Sequence, residues 1–95
     1  MITVLYFMTT GWACPACKGL RSHVSGACTD MGAKLELIDI SKPELDTNGY
    51  LTKFQGICGL PTVIVLHEGE EVGRLDPSQI TRQTVIHLIR AGKDD

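Results

Sequence analysis

The sequence predicts an α/β fold: a four-stranded mixed sheet, element order β-α-β-α-β-β-α, with helices on both faces. Three observations carry that expectation. Two nearly continuous apolar runs, Ile2–Met8 and Thr62–His67, have the β-branched and aromatic make-up of central strands covered on both sides. Elsewhere apolar residues recur at the spacings of three and four that define one face of a helix. A short Glu68-Gly69-Glu70 turn joins the second run to a further strand, as in a hairpin. A strand–helix–strand crossover is parallel and a tight hairpin antiparallel, which makes the sheet mixed.

Taken in order, Ile2–Met8 is the first strand, and Thr9-Thr10-Gly11 breaks it. From Pro15 a helix begins, with Cys17, Leu20, Val24, Cys28 and Met31 as its apolar stripe. Proline suits the first helical turn, where its missing N–H removes no bond. Lys34–Ile40 opens with Lys34 and Glu36 alternating against Leu35 and Leu37, the pattern of an edge strand. Pro43 could open a helix that Asn48-Gly49 interrupts, so the second helix is placed at Tyr50–Gln55, with Gly56 ending it. Thr62–His67 and Glu71–Leu75 form the hairpin. Asp76-Pro77-Ser78-Gln79 reads as the start of the last helix, with an N-cap, proline at the first position and Gln three residues on. Ile80, Thr84, Val85, Leu88 and Ile89 supply its inner face, and Lys93-Asp94-Asp95 is a frayed tail.

Ninety-five residues without repeats, linkers or low-complexity runs read as a single domain, 1–95. Apolar residues make up 43% and charged ones 21%, enough core material to offset the ordering entropy. A formal net charge of −2 argues against nucleic acid or an anionic membrane surface as the main partner. No apolar stretch is long enough to span a bilayer, and Met1 leads into an apolar run without the basic start of a secretory signal. The expectation is a cytoplasmic monomer. Four cysteines are too few for a disulfide scaffold, and in a reducing compartment a close pair suggests chemistry or metal.

That pair is Cys14-Pro15-Ala16-Cys17, at the handover from strand to helix. The N–H groups of a first helical turn lack intrahelical partners, and the helix dipole adds partial positive charge there. A sulfur at position 14 is offered donors that favour thiolate over thiol. A pKa lowered from about 8.5 to about 7 would raise the thiolate fraction at neutral pH from roughly 3% to roughly 50%. Because nucleophilicity falls with basicity, the net rate gain is only about threefold to fourfold. The helical stripe turns Cys17 inward and leaves Cys14 at the exposed turn, so one attacks and the other resolves. A zinc site would need four ligands, and no second paired motif supplies them, so no metal is expected. Cys28 lies on the buried stripe as an inert core thiol. Cys58, three residues before Pro61, is either a plain loop cysteine or an additional thiol with a regulatory or resolving role. His23, His67 and His87 are scattered and form no group.

Trp12-Ala13-Cys14-Pro15-Ala16-Cys17-Lys18 after a buried strand resembles the thioredoxin signature of Trp, Cys-x-x-Cys and a following Lys. Ile57-Cys58-Gly59-Leu60-Pro61-Thr62 is similar to the second signature of that family, whose proline is cis. The resemblance runs from Ile2 to Ile89 and implies a minimal thioredoxin fold. It implies a protein dithiol–disulfide oxidoreductase in which Cys14 attacks a substrate disulfide, Cys17 resolves the mixed disulfide, and Lys18 supports the thiolate weakly. It places Trp12, Leu60 and Pro61 on the substrate-binding surface, with Trp12 capping it, a cis Pro61 beside the sulfurs and the Leu60 backbone pairing with an extended substrate. The partners implied are protein disulfides and an electron donor, either a reductase or glutathione. No cofactor beyond the Cys14–Cys17 disulfide is implied.

The sequence departs from that pattern in informative places. The extra N-terminal strand and helix of full thioredoxins are missing, as in glutaredoxins, and Cys-Pro-x-Cys is the glutaredoxin arrangement. Ala13 separates Trp12 from Cys14. Gly73-Arg74-Leu75-Asp76 matches only half of the glutaredoxin Gly-Gly-x-Asp turn that binds glutathione. Two other functions therefore stand beside the leading one: a glutathione-dependent oxidoreductase, and a non-catalytic interaction module on the same fold. Thioredoxins also carry a buried aspartate in the strand before the motif, whereas Ile2–Met8 contains no carboxylate and ends in Tyr6, Phe7 and Met8. Cys17 is thus expected to lack a neighbouring base and to titrate high, unless Asp39 or Glu36 reaches its sulfur.

Overall fold

The computed structural model describes residues 1–54, 56–57 and 59–93. Its elements are β1 (Ile2–Met8), α1 (Pro15–Met31), β2 (Lys34–Asp39), a 3₁₀ turn at Pro43–Leu45, α2 (Tyr50–Lys53), β3 (Thr62–His67), β4 (Glu70–Leu75) and α3 (Arg82–Lys93). The sheet runs β2-β1-β3-β4, so the two apolar runs are the central strands and the two polar ones the edges. β1 lies parallel to β2, with Thr3 opposite Lys34 and Met8 opposite Asp39. It is antiparallel to β3, with Ile2 opposite His67 and Phe7 opposite Thr62. β3 and β4 form the antiparallel hairpin, with a shift of register between Val65 and Leu66.

Side chains alternate across a strand, so β1 and β3 feed a separate core on each face of the sheet. Val4, Tyr6, Val63 and Val65 meet Val24, Ala27 and Cys28 of α1 and Val85, Ile86 and Ile89 of α3. Leu5, Phe7, Ile64 and Leu66 meet Ile38 and Phe54, with Tyr50 and Leu51 of α2 packed against them. Each buried Val, Leu, Ile or Phe contributes about 1.5–3 kcal/mol relative to leaving it exposed. Burial on both faces is why these strands read as unbroken apolar runs.

Several boundaries differ from the sequence reading. The hairpin turn is Glu68-Gly69 alone, both with positive φ (51° and 83°), so Glu70 already belongs to β4. Such a two-residue turn requires left-handed backbone at both positions, which glycine supplies without strain at the second. β2 ends at Asp39, and its Leu37 is 41% exposed, because only one side of an edge strand is covered. α2 is a single turn ending at Lys53, and Gln55 lies outside the described residues; so do Asp94 and Asp95 of the expected tail.

The larger correction concerns α3, which begins at Arg82 and not at Pro77. The expected box at Asp76 does form: the Ser78 N–H donates to Asp76 Oδ1 at 2.9 Å and the Asp76 N–H to Gln79 Oε1 at 3.1 Å. It closes a turn, not a helix, because the next residue, Ile80, enters the core at 3% exposure. A second reciprocal box then starts α3. The Thr84 N–H donates to Thr81 Oγ1 at 3.0 Å, and the Thr81 N–H to Thr84 Oγ1 at 2.8 Å. The buried face of the helix consequently includes Ile86 and Gly92 beside Val85 and Ile89, while Thr84 and Leu88 are half-buried. Thr81→Ala, which removes the cap of α3, is expected to lower the unfolding free energy by about 1 kcal/mol in chemical denaturation. Ser78→Ala, in a turn that caps no helix, is expected to change it by less than half as much.

Candidate active site

The site is assembled at the C-terminal end of β1, where the loop to α1 is tied down before the cysteines begin. The Thr10 N–H donates to Asp39 Oδ1 at 3.3 Å, and the Thr10 hydroxyl donates to Asp39 Oδ2. The Ser41 N–H and hydroxyl donate to Asp39 Oδ1 at 2.9 and 2.6 Å. Asp39 therefore clasps the loop to the end of β2. The Ser41 and Thr10 hydroxyls hold its carboxyl well below the usual carboxylate range. Gly11 passes so close to Ser41 that a Cβ there would lie 2.6 Å from Ser41 Cβ, which no side chain can accommodate without moving the loop.

Cys14 is the N-cap of α1, and Pro15 follows at the first position of the helix. The Cys17 N–H donates to Cys14 Sγ at 3.2 Å, the contact expected of a sulfur placed over a first turn. Cys14 and Cys17 are joined in a disulfide with Cα atoms 5.3 Å apart. Their surroundings differ: Cys14 is half-buried and Cys17 is 2% exposed. From below, the fully buried Tyr6 donates its hydroxyl to the Cys17 carbonyl at 2.6 Å, pinning the motif to β1. Burial raises the Tyr6 phenol, with Arg21 acting in the opposite sense, so the hydroxyl remains a donor at neutral pH.

Among the described residues no carboxylate hydrogen-bonds either sulfur. Asp39 is engaged by Thr10 and Ser41, and Glu36 faces Lys34 at 3.5 Å and Asn48 at 3.5 Å. The Leu60–Pro61 peptide bond is cis, and Pro61 is buried. Trp12 is 59% exposed. Two grooves meet at the ridge Trp12–Pro15. One, of about 530 Å³, runs over Ala16, Ile40, Ile57, Gly59 and Leu60. The other, of about 560 Å³, runs over Met8, Thr10, Cys17, Lys18 and Arg21. The fold thus brings Trp12, Cys14 and Leu60 to one groove and Trp12, Cys14, Cys17 and Lys18 to the other. Arg21 and Ile40 were not among the sequence's site residues, and Ile57 entered there only as the first residue of the second signature. Arg21 was detectable, since it lies three residues after Lys18 on one helical face; the isoleucines become neighbours of Cys14 only through the fold.

Cys28 is buried, and that burial pushes its thiol up to about 11. Cys58 lies outside the described residues. Gly73 and Arg74 belong to β4, where the Arg74 guanidinium holds Glu71 at 2.7 and 2.9 Å, and the Asp76 carboxylate is engaged by Ser78.

No family model and no curated protein matches the sequence. Solved structures do resemble the fold. Thioredoxin 1 from Thermosipho africanus shares 21% identity over 97% of this chain and 94% of its own, with a TM-score of 0.70. Thioredoxin-2 of the malaria parasite, described as a component of its protein secretion machinery, shares 24% over 95% and 82%, with a TM-score of 0.72. Plasmodium falciparum thioredoxin shares 18% over 94% and 79%, with a TM-score of 0.68. At these identities the likeness establishes architecture: the chain has a thioredoxin fold, in its minimal four-stranded form.

Tyr6→Phe, which removes one buried hydroxyl and leaves the ring in place, is expected to destabilise the oxidised protein by about 1 kcal/mol in denaturant titration. Asp39 gives a pH test. A carboxyl whose pKa is depressed by folding adds stability that is complete above its unfolded pKa and lost as pH falls toward the folded value. The melting temperature should therefore drop as pH falls below about 4. Asp39→Asn should melt lower than the parent at neutral pH, and the gap should close in acid.

Proposed function

We propose that this chain is a protein dithiol–disulfide oxidoreductase that reduces protein disulfides through Cys14 and Cys17. The observation that carries the reading is the placement of the Cys14 sulfur as N-cap of α1, accepting the Cys17 N–H at 3.2 Å, while Cys17 sits buried behind it. Donors and the positive end of the helix dipole stabilise the Cys14 thiolate, which is the attacking form of the thiol. The thiolate attacks one sulfur of a substrate disulfide; a Cys14–substrate bond forms, the substrate S–S bond breaks, and one substrate sulfur leaves as thiolate. Cys17 then loses its proton and attacks Cys14 Sγ. The Cys14–Cys17 disulfide forms, the Cys14–substrate bond breaks, and the second substrate sulfur departs as a thiolate. With no carboxylate bonded to Cys17 among the described residues, the departing substrate thiolate or water takes its proton.

Trp12 and Leu60 form the surface on which the substrate lies, with the Leu60 backbone able to pair with an extended segment; Pro61, expected on that surface, is buried and contributes the cis bond that follows Leu60. Lys18 adds a screened positive charge beside the motif, and Cys58 is available as an additional thiol. The protein works as a cytoplasmic monomer with no bound cofactor, re-reduced by a reductase or by glutathione. Cys-Pro-Ala-Cys suits the glutathione-dependent version of this chemistry, whereas the engagement of Arg74 and Asp76 with their own neighbours favours the reductase. Turnover of an insulin-type disulfide with thioredoxin reductase, measured against turnover with glutathione and its reductase, decides between them. Turnover with neither would leave a non-catalytic interaction module.

The division of labour between the sulfurs is tested by trapping. Cys17→Ser is expected to accumulate a mixed disulfide with substrate through Cys14, seen as a mass adduct that dithiothreitol removes. Cys14→Ser is expected to accumulate none. An adduct on Cys17 would reverse the assignment.

A further inference from the structure

The two grooves that meet at Cys14 differ in chemistry. In one, Lys18 and Arg21 stand on the same face of α1. Both are exposed, the first turn of α1 contains no acidic residue, and among the described residues neither cation has a carboxylate partner. The nearby Asp39 spends its oxygens on Thr10 and Ser41. The positive end of the helix dipole adds to the same field. This is a concentrated positive patch on a chain whose net charge is −2. The other groove presents Ile40, Ile57 and Leu60 beside Trp12, with no charged side chain among the described residues of its lining.

Resting on the oxidoreductase reading above, we infer that the preferred substrate is an extended polypeptide segment whose cysteine is flanked by an acidic residue on one side and an apolar residue on the other. With the substrate sulfur at the Cys14 ridge, the acidic side chain lies over Lys18 and Arg21 and the apolar one over Ile40, Ile57 and Leu60. The occupant is a polypeptide and not glutathione, because glutathione offers carboxylates to the first groove and no apolar side chain to the second. Long-range attraction speeds encounter and sets orientation, so the preference resides in the attack rate and weakens with salt.

The test uses peptides with one cysteine activated as a mixed disulfide with neutral 2-thiopyridine. Attack by Cys14 on the peptide sulfur forms the protein–peptide disulfide and releases thiopyridone, which is read by absorbance. Each peptide carries leucine on one side of the cysteine and aspartate, asparagine or lysine on the other, made in both chain directions. For the reduced protein at low ionic strength, the aspartate peptide of one direction is expected to react about tenfold faster than its lysine counterpart, with the gap shrinking as salt rises. Lys18→Glu/Arg21→Glu should invert the aspartate-to-lysine ratio, a comparison in which any change in intrinsic Cys14 reactivity cancels. Ile57→Ser should reduce the preference for leucine over serine at the apolar position.

Equal rates for all peptides, with brisk attack on uncharged 2-hydroxyethyl disulfide, would overturn the inference and leave the oxidoreductase reading standing. Faster reaction with the mixed disulfide of glutathione than with the aspartate–leucine peptide would also overturn it. Attack on no disulfide at all would remove both.

Discussion

β1 has hydrogen-bonded neighbours on both sides and is buried on both faces, and the rest of the molecule is arranged around it. A strand so enclosed cannot shift register, because a slip of one residue would exchange the side chains of its two cores. Its C-terminal end is therefore a fixed point, and the cysteine motif starts a few residues beyond it. Three local devices hand that rigidity to the sulfurs: the Asp39 clasp on Thr10, the bare backbone of Gly11 against Ser41, and the Tyr6 hydroxyl on the Cys17 carbonyl. None of these hydrogen bonds ends on a sulfur atom. Each confines the backbone that carries one.

The three described cysteines all lie on or at the start of α1, and the helix gives each a different environment. Cys28 shows what burial alone does to a thiol here, raising it from 9.0 to about 11. Cys14 is less buried and has what Cys28 lacks, a backbone donor and the positive end of a helix. Dipole effects of this kind contribute about 0.3–1 kcal/mol at exposed positions and up to about 2 when partly buried, against 1.36 kcal/mol for a tenfold change in ionisation. For a half-exposed sulfur, where desolvation is modest, both effects favour the thiolate over the thiol. The same helix thus offers a thiolate-favouring position at its start and a thiolate-disfavouring one near its end.

How much of this was legible in the sequence follows from how local each signal is. β1 and β3 were readable because burial on both faces writes itself into composition, and α1 because its stripe is periodic. The start of α3 misled because two capping patterns follow one another, Asp76–Gln79 and Thr81–Thr84. Both form their bonds, and only the demand of the core for Ile80 decides which one opens the helix. Leu37 alternates with Lys34 and Glu36 as an inward residue would, yet on this edge strand it is 41% exposed and lines a groove with Lys42 and Leu45. At the site, the motif announced Cys14 and Cys17 directly and the second signature brought in Ile57 and Leu60 by resemblance, but Ile40 and Ile57 lie far from the cysteines along the chain. Their approach to Cys14 depends on the β1–β2 crossover and the return through β3, which pair spacing cannot encode.

The burial of Cys28 gives the protein an internal gauge. A thiol reagent can meet that sulfur only when α1 lifts from the sheet, so its labelling rate counts excursions that leave the bulk of the population folded. Because the Cys14–Cys17 link closes the first turn of the same helix, the rate can be taken with the link intact and again with it opened. The ratio of the two rates measures how far opening the link at one end of the helix loosens or tightens the packing at the other. A chemical state held at one end of the helix is thereby reported from the interior, with no residue of the motif replaced.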